Sequence, residues 1–88
     1  MTPGSVDDAK QAIRNKVAEI AKSLGNKFQG LKDDDMIPET GLLDSAGIME
    51  LIMWYETNWE LSIPQQDLTI ENFGTINAMA EYLRQAGK

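Results

Sequence analysis

The stretch "GLLDSAGIMELIMWYE" (residues 41–56) joins a polar loop to a nearly unbroken apolar run, and the helical architecture can be worked out from it. Asp44 and Ser45 are both good helix N-caps, because either side chain can accept a hydrogen bond from an amide of the first turn. We expect a helix that begins at one of these two residues and ends at about Asn58. Its core face, spaced i, i+3, i+4, i+7 and i+11, holds Ile48, Leu51, Ile52, Tyr55 and Trp59.

The other faces of this helix are also apolar, because they carry Ala46, Met49, Met53 and Trp54. Such a helix is either buried on every side or partly exposed for binding. A chain of 88 residues has a thin core and can hardly cover one helix all round. We therefore expect part of this apolar surface to be functional.

A first helix is predicted over about residues 7 to 24. Asp7 and Asp8 suit its N-terminus, where carboxylates meet unpaired amides and the positive end of the helix dipole. Gly25 and Asn26 follow the helix and supply the left-handed residue that commonly ends one. The apolar stripe of this helix consists of Ile13, Val17, Ile20, Ala21 and Leu24.

Residues 25–43 are predicted to form a long connection without regular structure, because three glycines and a proline interrupt them. A loop of this length is usually functional or packed by its own side chains. The run of Asp33, Asp34 and Asp35 lacks the alternating ligands, the central glycine and the closing glutamate of an EF-hand loop, so we do not expect a calcium site. The residues expected to pin the loop to the core are Phe28, Leu31, Met36, Ile37, Leu42 and Leu43.

The last part of the chain is predicted to be mostly helical. Pro64 follows "WELSI" (residues 59–63), which we expect to be a loop. Residues 65–73 should contain one or two helical turns, whose inward-facing side chains are expected to be Leu68, Ile70 and Phe73.

Thr75 is expected to cap a final helix, and Gly87 fits the C-terminus of that helix. No segment alternates between apolar and polar residues, so we predict an all-α four-helix bundle. It has three main helices, a short third helix and a long loop after helix one. Residues 1–88 form one domain in this prediction, with residues 1–5 as a disordered lead-in. The apolar positions of the final helix are Ile76, Met79, Ala80 and Leu83, with Tyr82 flanking.

The charge of the chain is concentrated around Ser45. The net charge is −6, and the eight basic residues lie toward the two ends. Eleven of the fourteen acids lie between Asp33 and Leu83, a region without Lys or Arg. A field of one sign repels nucleic acid and acidic membranes and attracts basic partners. Solubility alone would account for an acidic composition, but acids gathered around one serine favour a basic partner.

The composition also excludes several kinds of site. The chain has no cysteine, which excludes disulfides, thiolate metal sites and cysteine nucleophiles. No apolar run approaches the ~18 residues needed to span a bilayer. The start "MTPGSVDDAK" (residues 1–10) lacks the basic-then-apolar order of a signal peptide, so we expect a cytoplasmic protein.

Ser45 has no activating partner of its own. A serine nucleophile needs a base, usually histidine, yet the chain has no histidine and no lysine within twelve residues of Ser45. Gly41 and Gly47 do not make a phosphate-binding loop either. We therefore expect that the protein is not an enzyme. Two interpretations remain: Ser45 is only the N-cap of a small acidic helical interaction module, or Ser45 is a substrate that another enzyme modifies.

The stretch "LLDSAGIMEL" (residues 42–51) resembles the phosphopantetheine attachment motif of acyl carrier proteins, in which an Asp-Ser pair opens the second helix and a Glu-Leu follows the serine at the same spacing. The resemblance extends to "WELSIP" (residues 59–64) and to "DLTIENFGTINAMAEYL" (residues 67–83). It implies a four-helix bundle with a short third helix, which agrees with the prediction from periodicity.

The resemblance also implies a function. Ser45 would accept 4′-phosphopantetheine from coenzyme A through a phosphopantetheinyl transferase. The thiol of that arm would hold an acyl or aminoacyl group as a thioester. A loading synthetase and downstream transferases of a fatty acid, polyketide, nonribosomal or other specialised pathway would be the further partners of a monomeric carrier.

The same resemblance assigns roles around Ser45. Asp44 matches the acid beside the modified serine, and Glu50 and Glu56 match acids on the partner-facing side of the helix. Ala46, Met49 and Met53 match exposed apolar positions that contact enzymes.

Three positions depart from the family's pattern. Ala46 stands where the family usually has Leu, Gly47 loosens the first turn, and Trp54 replaces a residue that is commonly small. The form "GLLDSAG" (residues 41–47) is closer to stand-alone carriers of specialised pathways, including those that carry D-alanine. Trp54 could line a cargo cavity together with Tyr55 and Trp59, but we expect these aromatic residues to pack in the core.

Overall fold

A computed structural model describes residues 6–28 and 31–86. Its helices are α1 (Val6–Ser23), α2 (Ile37–Thr40), α3 (Ser45–Asn58), α4 (Ile70–Phe73) and α5 (Ile76–Gln85), with a short 3-10 helix at Gln65–Asp67 between α3 and α4. The described part of the chain contains no strand, so the prediction of an all-α bundle is confirmed. The predictions for residues 1–5 and for Gly87 fall outside the described residues.

The core lies between the three long helices, because α1 packs against both α3 and α5. Leu31, Ile37 and Leu43 add to it from the connection between α1 and α3, which therefore lies against the bundle as expected. None of the described polar or charged residues is buried. The buried side chains of the long helices are Ala9, Ile13, Val17, Ile20, Ala21, Leu51, Tyr55, Ile76, Met79, Ala80 and Leu83.

Tyr55 ties α3 to α5 at the centre of the core. Its side chain is fully buried, and its hydroxyl donates a hydrogen bond to the backbone oxygen of Met79 at 2.8 Å. The rings of Trp59 and Phe73 meet it edge-on, with centroids 5.3 Å and 5.5 Å away. Trp59 is buried as well, whereas Trp54 is half-buried and meets the ring of Trp59 edge-on. Tyr55 and Trp59 therefore pack in the core.

Three side chains that were predicted to face inward do not. Leu24 is 42 % exposed, Leu68 39 % and Ile70 57 %. Leu24 follows the last residue of α1 and precedes Gly25, whose φ of +81° turns the chain away. Helix α4 has a single turn, from which Phe73 alone is buried. A one-turn helix cannot place several side chains against the same core, so Ile70 remains near the surface. Leu68 is not on α4, because it directly follows the 3-10 helix.

The long connection was predicted to lack regular structure, and this prediction was wrong for residues 37–40. Pro38 lies in the first turn of α2, where its missing N–H costs no hydrogen bond. The N–H of Ile37 donates to the backbone oxygen of Gly74 at 2.8 Å, and Gly41, with a φ of +76°, ends the turn. This contact with the end of α4 stabilises a helix that local sequence does not indicate.

The three consecutive aspartates each have a separate partner. Asp33 accepts a hydrogen bond from Arg14 and also pairs with Lys10, both on α1. Asp34 accepts from the side chain of Asn77 on α5, and Asp35 accepts from the backbone N–H of Lys32 at 2.9 Å. The run therefore fastens the connection to α1 and α5. In the described ranges, no group of three or more His, Cys, Asp or Glu is placed to hold a metal ion.

Candidate functional site

Ser45 is the first residue of α3, and Asp44 is the N-cap. The Oδ1 atom of Asp44 accepts a hydrogen bond from the N–H of Gly47 at 2.7 Å, and its backbone oxygen accepts one from Ile48 at 2.9 Å. The cap therefore belongs to Asp44, and the helix start does not need the Ser45 hydroxyl. Both residues are exposed.

The segment that leads into Ser45 is held by Asn26, which lies just beyond the end of α1. The side-chain amide of Asn26 donates to the backbone oxygen of Leu42 at 2.9 Å. Leu43 is buried, and the N–H of Leu42 donates to the Thr40 hydroxyl at 3.2 Å. These contacts hold the residues immediately before Asp44, so Ser45 projects from an ordered helix start.

Gly47 explains how α3 comes so close to α1. It is buried, and a Cβ at this position would stand 3.2 Å from Cγ2 of Ile20 and 3.3 Å from Cδ1 of Leu24. It would also lie 3.3 Å from Oδ1 of Asp44, which accepts the capping hydrogen bond. A side chain much larger than a methyl group would push the helix start away from α1. The glycine therefore sets the position of Ser45.

The surroundings of Ser45 leave room for a covalently attached group. Ser45 is exposed between Asp44 and Ala46, which are exposed too, and Ala46 has only a methyl side chain. An arm attached to the hydroxyl would displace no packed side chain. The chain contains no histidine that could activate this hydroxyl, so the arrangement suits a serine that a partner enzyme modifies.

One outward face of α3 forms a shallow apolar depression next to Ser45. Met49 is 53 % exposed and Met53 is 62 % exposed, and Glu50 is exposed between them. The structure thus brings together the predicted contact residues Ala46, Met49, Glu50 and Met53. The residues that line the depression are Ala46, Met49, Glu50, Met53, Trp54 and Thr57.

The sequence placed Trp54 outside the core face of the helix, but neither Trp54 nor Thr57 was predicted as a contact residue. Both continue the spacing of the other lining residues, eight and eleven positions after Ala46, so the helical period could have found them. Glu56, by contrast, does not line the depression. It is half-buried, and its Oε2 atom accepts a hydrogen bond from the N–H of Ile63 at 3.0 Å. This bond fastens the segment after α3, so the structure separates Glu56 from the other predicted contact residues.

A second apolar groove lies between α3 and the region of α4. It begins one turn after Ser45, and no charged residue lines it. Such a groove can shelter an apolar group from water. Ile48 and Ile52, predicted for the core face, are half-buried and line it. The lining residues are Pro38, Ile48, Met49, Ile52, Leu68, Thr69, Ile70, Phe73 and Gly74.

None of the helices in residues 6–28 and 31–86 has the length and hydropathy that crossing a bilayer requires. Neither a protein-family model nor a solved structure matches the chain significantly.

Several curated proteins are similar to it in sequence. An acyl carrier protein of Desulforapulum autotrophicum is 34 % identical over 73 residues, which cover 77 % of this chain and 92 % of that protein. Aminoacyl carrier protein 2 of Bradyrhizobium diazoefficiens is 32 % identical over 71 residues, or 76 % of this chain and 78 % of that protein. A D-alanyl carrier protein of Streptococcus uberis is 33 % identical over 55 residues, or 62 % of this chain and 68 % of that protein.

Proposed function

The chain belongs to the acyl carrier protein family, and from this membership we propose that it carries an acyl or aminoacyl group as a thioester on a 4′-phosphopantetheine arm attached to Ser45. The observation that carries the proposal is the exposed Ser45 at the first position of α3. Its neighbour Asp44 caps the helix, which leaves the hydroxyl available to another enzyme.

The chemistry is divided between the chain and its partners. A phosphopantetheinyl transferase would join the Ser45 oxygen to the phosphate of the phosphopantetheine part of coenzyme A, with the nucleotide part as the leaving group. The proton of the hydroxyl would pass to a base of the transferase, since the chain has no histidine. The attached arm supplies the thiol for thioester formation, which the chain cannot supply because it has no cysteine. The protein itself is therefore not an enzyme in this proposal.

The outward face of α3 would be the surface that partners recognise. Met49 and Met53 are adaptable apolar side chains, and such side chains suit a surface that must fit several enzymes in turn. Glu50 lies between them, and the region from Asp33 to Leu83 has no Lys or Arg. Its acidic field would speed the encounter with basic partner surfaces, while a small apolar contact allows rapid release.

The partners would be the transferase, a synthetase that loads the cargo, and transferases that receive it. The similar proteins are named acyl, aminoacyl and D-alanyl carrier proteins, and these names support an acyl or aminoacyl cargo. A shuttle of this kind would serve a fatty acid, polyketide, nonribosomal or other specialised pathway as a cytoplasmic monomer.

The proposal predicts that coenzyme A and a phosphopantetheinyl transferase of broad specificity will add one phosphopantetheine to the chain. Intact-protein mass spectrometry measures the increase. Ser45→Ala should abolish it without unfolding the protein, because Asp44 provides the cap and alanine is a good helix former. Ser62→Ala is the matched control: it removes another exposed serine, and modification should continue.

The alternative is a small acidic helical interaction module in which Ser45 only begins a helix. A wild-type chain whose mass stays unchanged would support that alternative against the carrier. Modification of the Ser45→Ala variant would instead place the attachment at another residue.

A further inference from the structure

Leu24 has a large apolar side chain that is only partly buried. The other residues of its stripe on α1, namely Ile13, Val17, Ile20 and Ala21, are at most 1 % exposed. Leu24 is 42 % exposed. Its position at the end of α1 therefore leaves apolar surface in contact with water.

The side chain of Leu24 lies beside the start of α3. The Cδ1 atom of Leu24 is 3.3 Å from the position that a Cβ would take on Gly47. Residues two apart in a helix, such as Ser45 and Gly47, have Cα atoms about 5 to 6 Å apart. Leu24 therefore lies on the order of 10 Å from Ser45.

The first turn of α3 offers little apolar surface of its own. Ala46 presents one methyl group, Gly47 is buried and has no side chain, and Ile48 is half-buried and lines the groove toward α4. The large apolar side chain that flanks the helix start on the α1 side is therefore Leu24.

Leu24 is also held in place relative to Ser45. Its N–H donates to the backbone oxygen of Ile20 at 3.1 Å, and the N–H of Asn26 donates to Ala21 at 2.9 Å. The side chain of Asn26 then bonds the backbone oxygen of Leu42, two residues before Asp44. The end of α1 and the start of α3 thus present one preformed surface.

An enzyme that modifies Ser45 has to cover this surface. An interface of standard size buries about 800 Å² on each partner, which corresponds to a disc with a radius of about 16 Å. A disc of that size centred on Ser45 includes Leu24. We propose that Leu24 forms part of the docking surface for the phosphopantetheinyl transferase and meets an apolar patch of that enzyme. This proposal rests on the proposed function of Ser45.

The test compares steady-state loading of wild type and Leu24→Ala. We expect kcat/KM to fall about three- to tenfold in the variant, because part of a leucine side chain no longer enters the interface. The change should appear in KM rather than in kcat, since Leu24 does not touch the reacting atoms. It should persist at high salt, because screening by ions does not weaken an apolar contact.

Two further variants sharpen the comparison. Leu61→Ala makes the same chemical change beyond the far end of α3, roughly 20 Å from Ser45, and should leave KM unchanged. Ala46→Leu, added to Leu24→Ala, restores a large apolar side chain beside Ser45 and should recover part of the lost kcat/KM. Thermal melts of all variants test whether a change in kcat/KM is caused by unfolding.

A measurement without any substitution gives a second readout. When the transferase is titrated into the unmodified chain without coenzyme A, the methyl resonances of Leu24 should shift and those of Leu61 should not. An equal kcat/KM for wild type and Leu24→Ala, or unshifted Leu24 methyl groups, would overturn the docking role alone. A wild-type chain that is never loaded would overturn the proposed function, and the docking role with it.

Discussion

Gly74 stands where the chain leaves no space for a side chain. A Cβ there would lie 2.5 Å from the backbone oxygen of Ile70 and 2.9 Å from Cε of Met36. The backbone oxygen of Gly74 also accepts the hydrogen bond from Ile37, so this residue joins the long connection to the end of α4. A shift of the backbone at Gly74 would disturb both segments.

We expect Gly74→Ala to lower the free energy of unfolding by about 1–3 kcal/mol, measured by urea denaturation, because the added methyl group meets backbone that cannot rotate away. Gly47→Ala is the matched control. Its Cβ would stand 3.2–3.3 Å from side-chain atoms, which can yield slightly, and alanine favours helix by about 1 kcal/mol over glycine. Gly47→Ala should therefore change the free energy of unfolding by less than Gly74→Ala. Equal losses for both variants would contradict this difference.

Helix α3 has two separate uses. Leu51 and Tyr55 face the core, whereas Met49 and Met53 are exposed on the depression next to Ser45. This division explains why the helix is apolar nearly all round, and why a substitution on the outer face should affect partners more than stability. Glu50 is the acid within that outer face.

We predict that Glu50→Lys lowers kcat/KM for loading by the transferase several-fold at low salt, because the reversed charge opposes the approach of a basic partner. The loss should shrink as the salt concentration rises. Glu60→Lys changes the net charge equally but lies beyond the end of α3, so it should have the smaller effect. If both variants behave alike, net charge rather than the position of Glu50 controls the encounter.

Across the bundle, the hydrogen bond from the Tyr55 hydroxyl to the backbone oxygen of Met79 joins α3 to α5. Burial raises the pKa of the Tyr55 phenol, and the nearby Tyr82 raises it further. A tyrosine whose pKa is higher in the folded chain than in the unfolded one stabilises the fold below the unfolded value, about pH 10. That contribution is lost as the pH rises above 10 toward the folded pKa.

Tyr55→Phe should therefore lower the free energy of unfolding by about 1 kcal/mol at neutral pH, through the lost hydrogen bond. Above pH 10 the variant should lose stability less steeply than wild type, as measured by urea denaturation at a series of pH values. Tyr82→Phe keeps the buried phenol of Tyr55, so this variant should still lose most of the stability that wild type loses at alkaline pH. If the free energy of unfolding changes with pH in the same way for wild type and for Tyr55→Phe, the titration of Tyr55 does not cause the loss of stability at alkaline pH.

The three long helices and the place of Ser45 could be predicted from the sequence. Apolar spacing indicated α1, α3 and α5, and the caps at Asp44 and Thr75 lie where local chemistry puts them. These features depend on contacts between residues at most about four positions apart. Such contacts can be predicted directly from the sequence.

Contacts between distant residues account for the rest. Helix α2 depends on the bond from Ile37 to Gly74, and the aspartate run is fastened by Arg14 and by Asn77, which lies 43 positions from Asp34. The exposure of Leu24 likewise depends on which helices cover its side chain. The sequence shows how apolar each side chain and its near neighbours are. Only the packing of the helices determines which of these side chains stay exposed to water. The apolar period of α1 therefore predicted Leu24 as core, and the folded bundle leaves it at the surface beside Ser45.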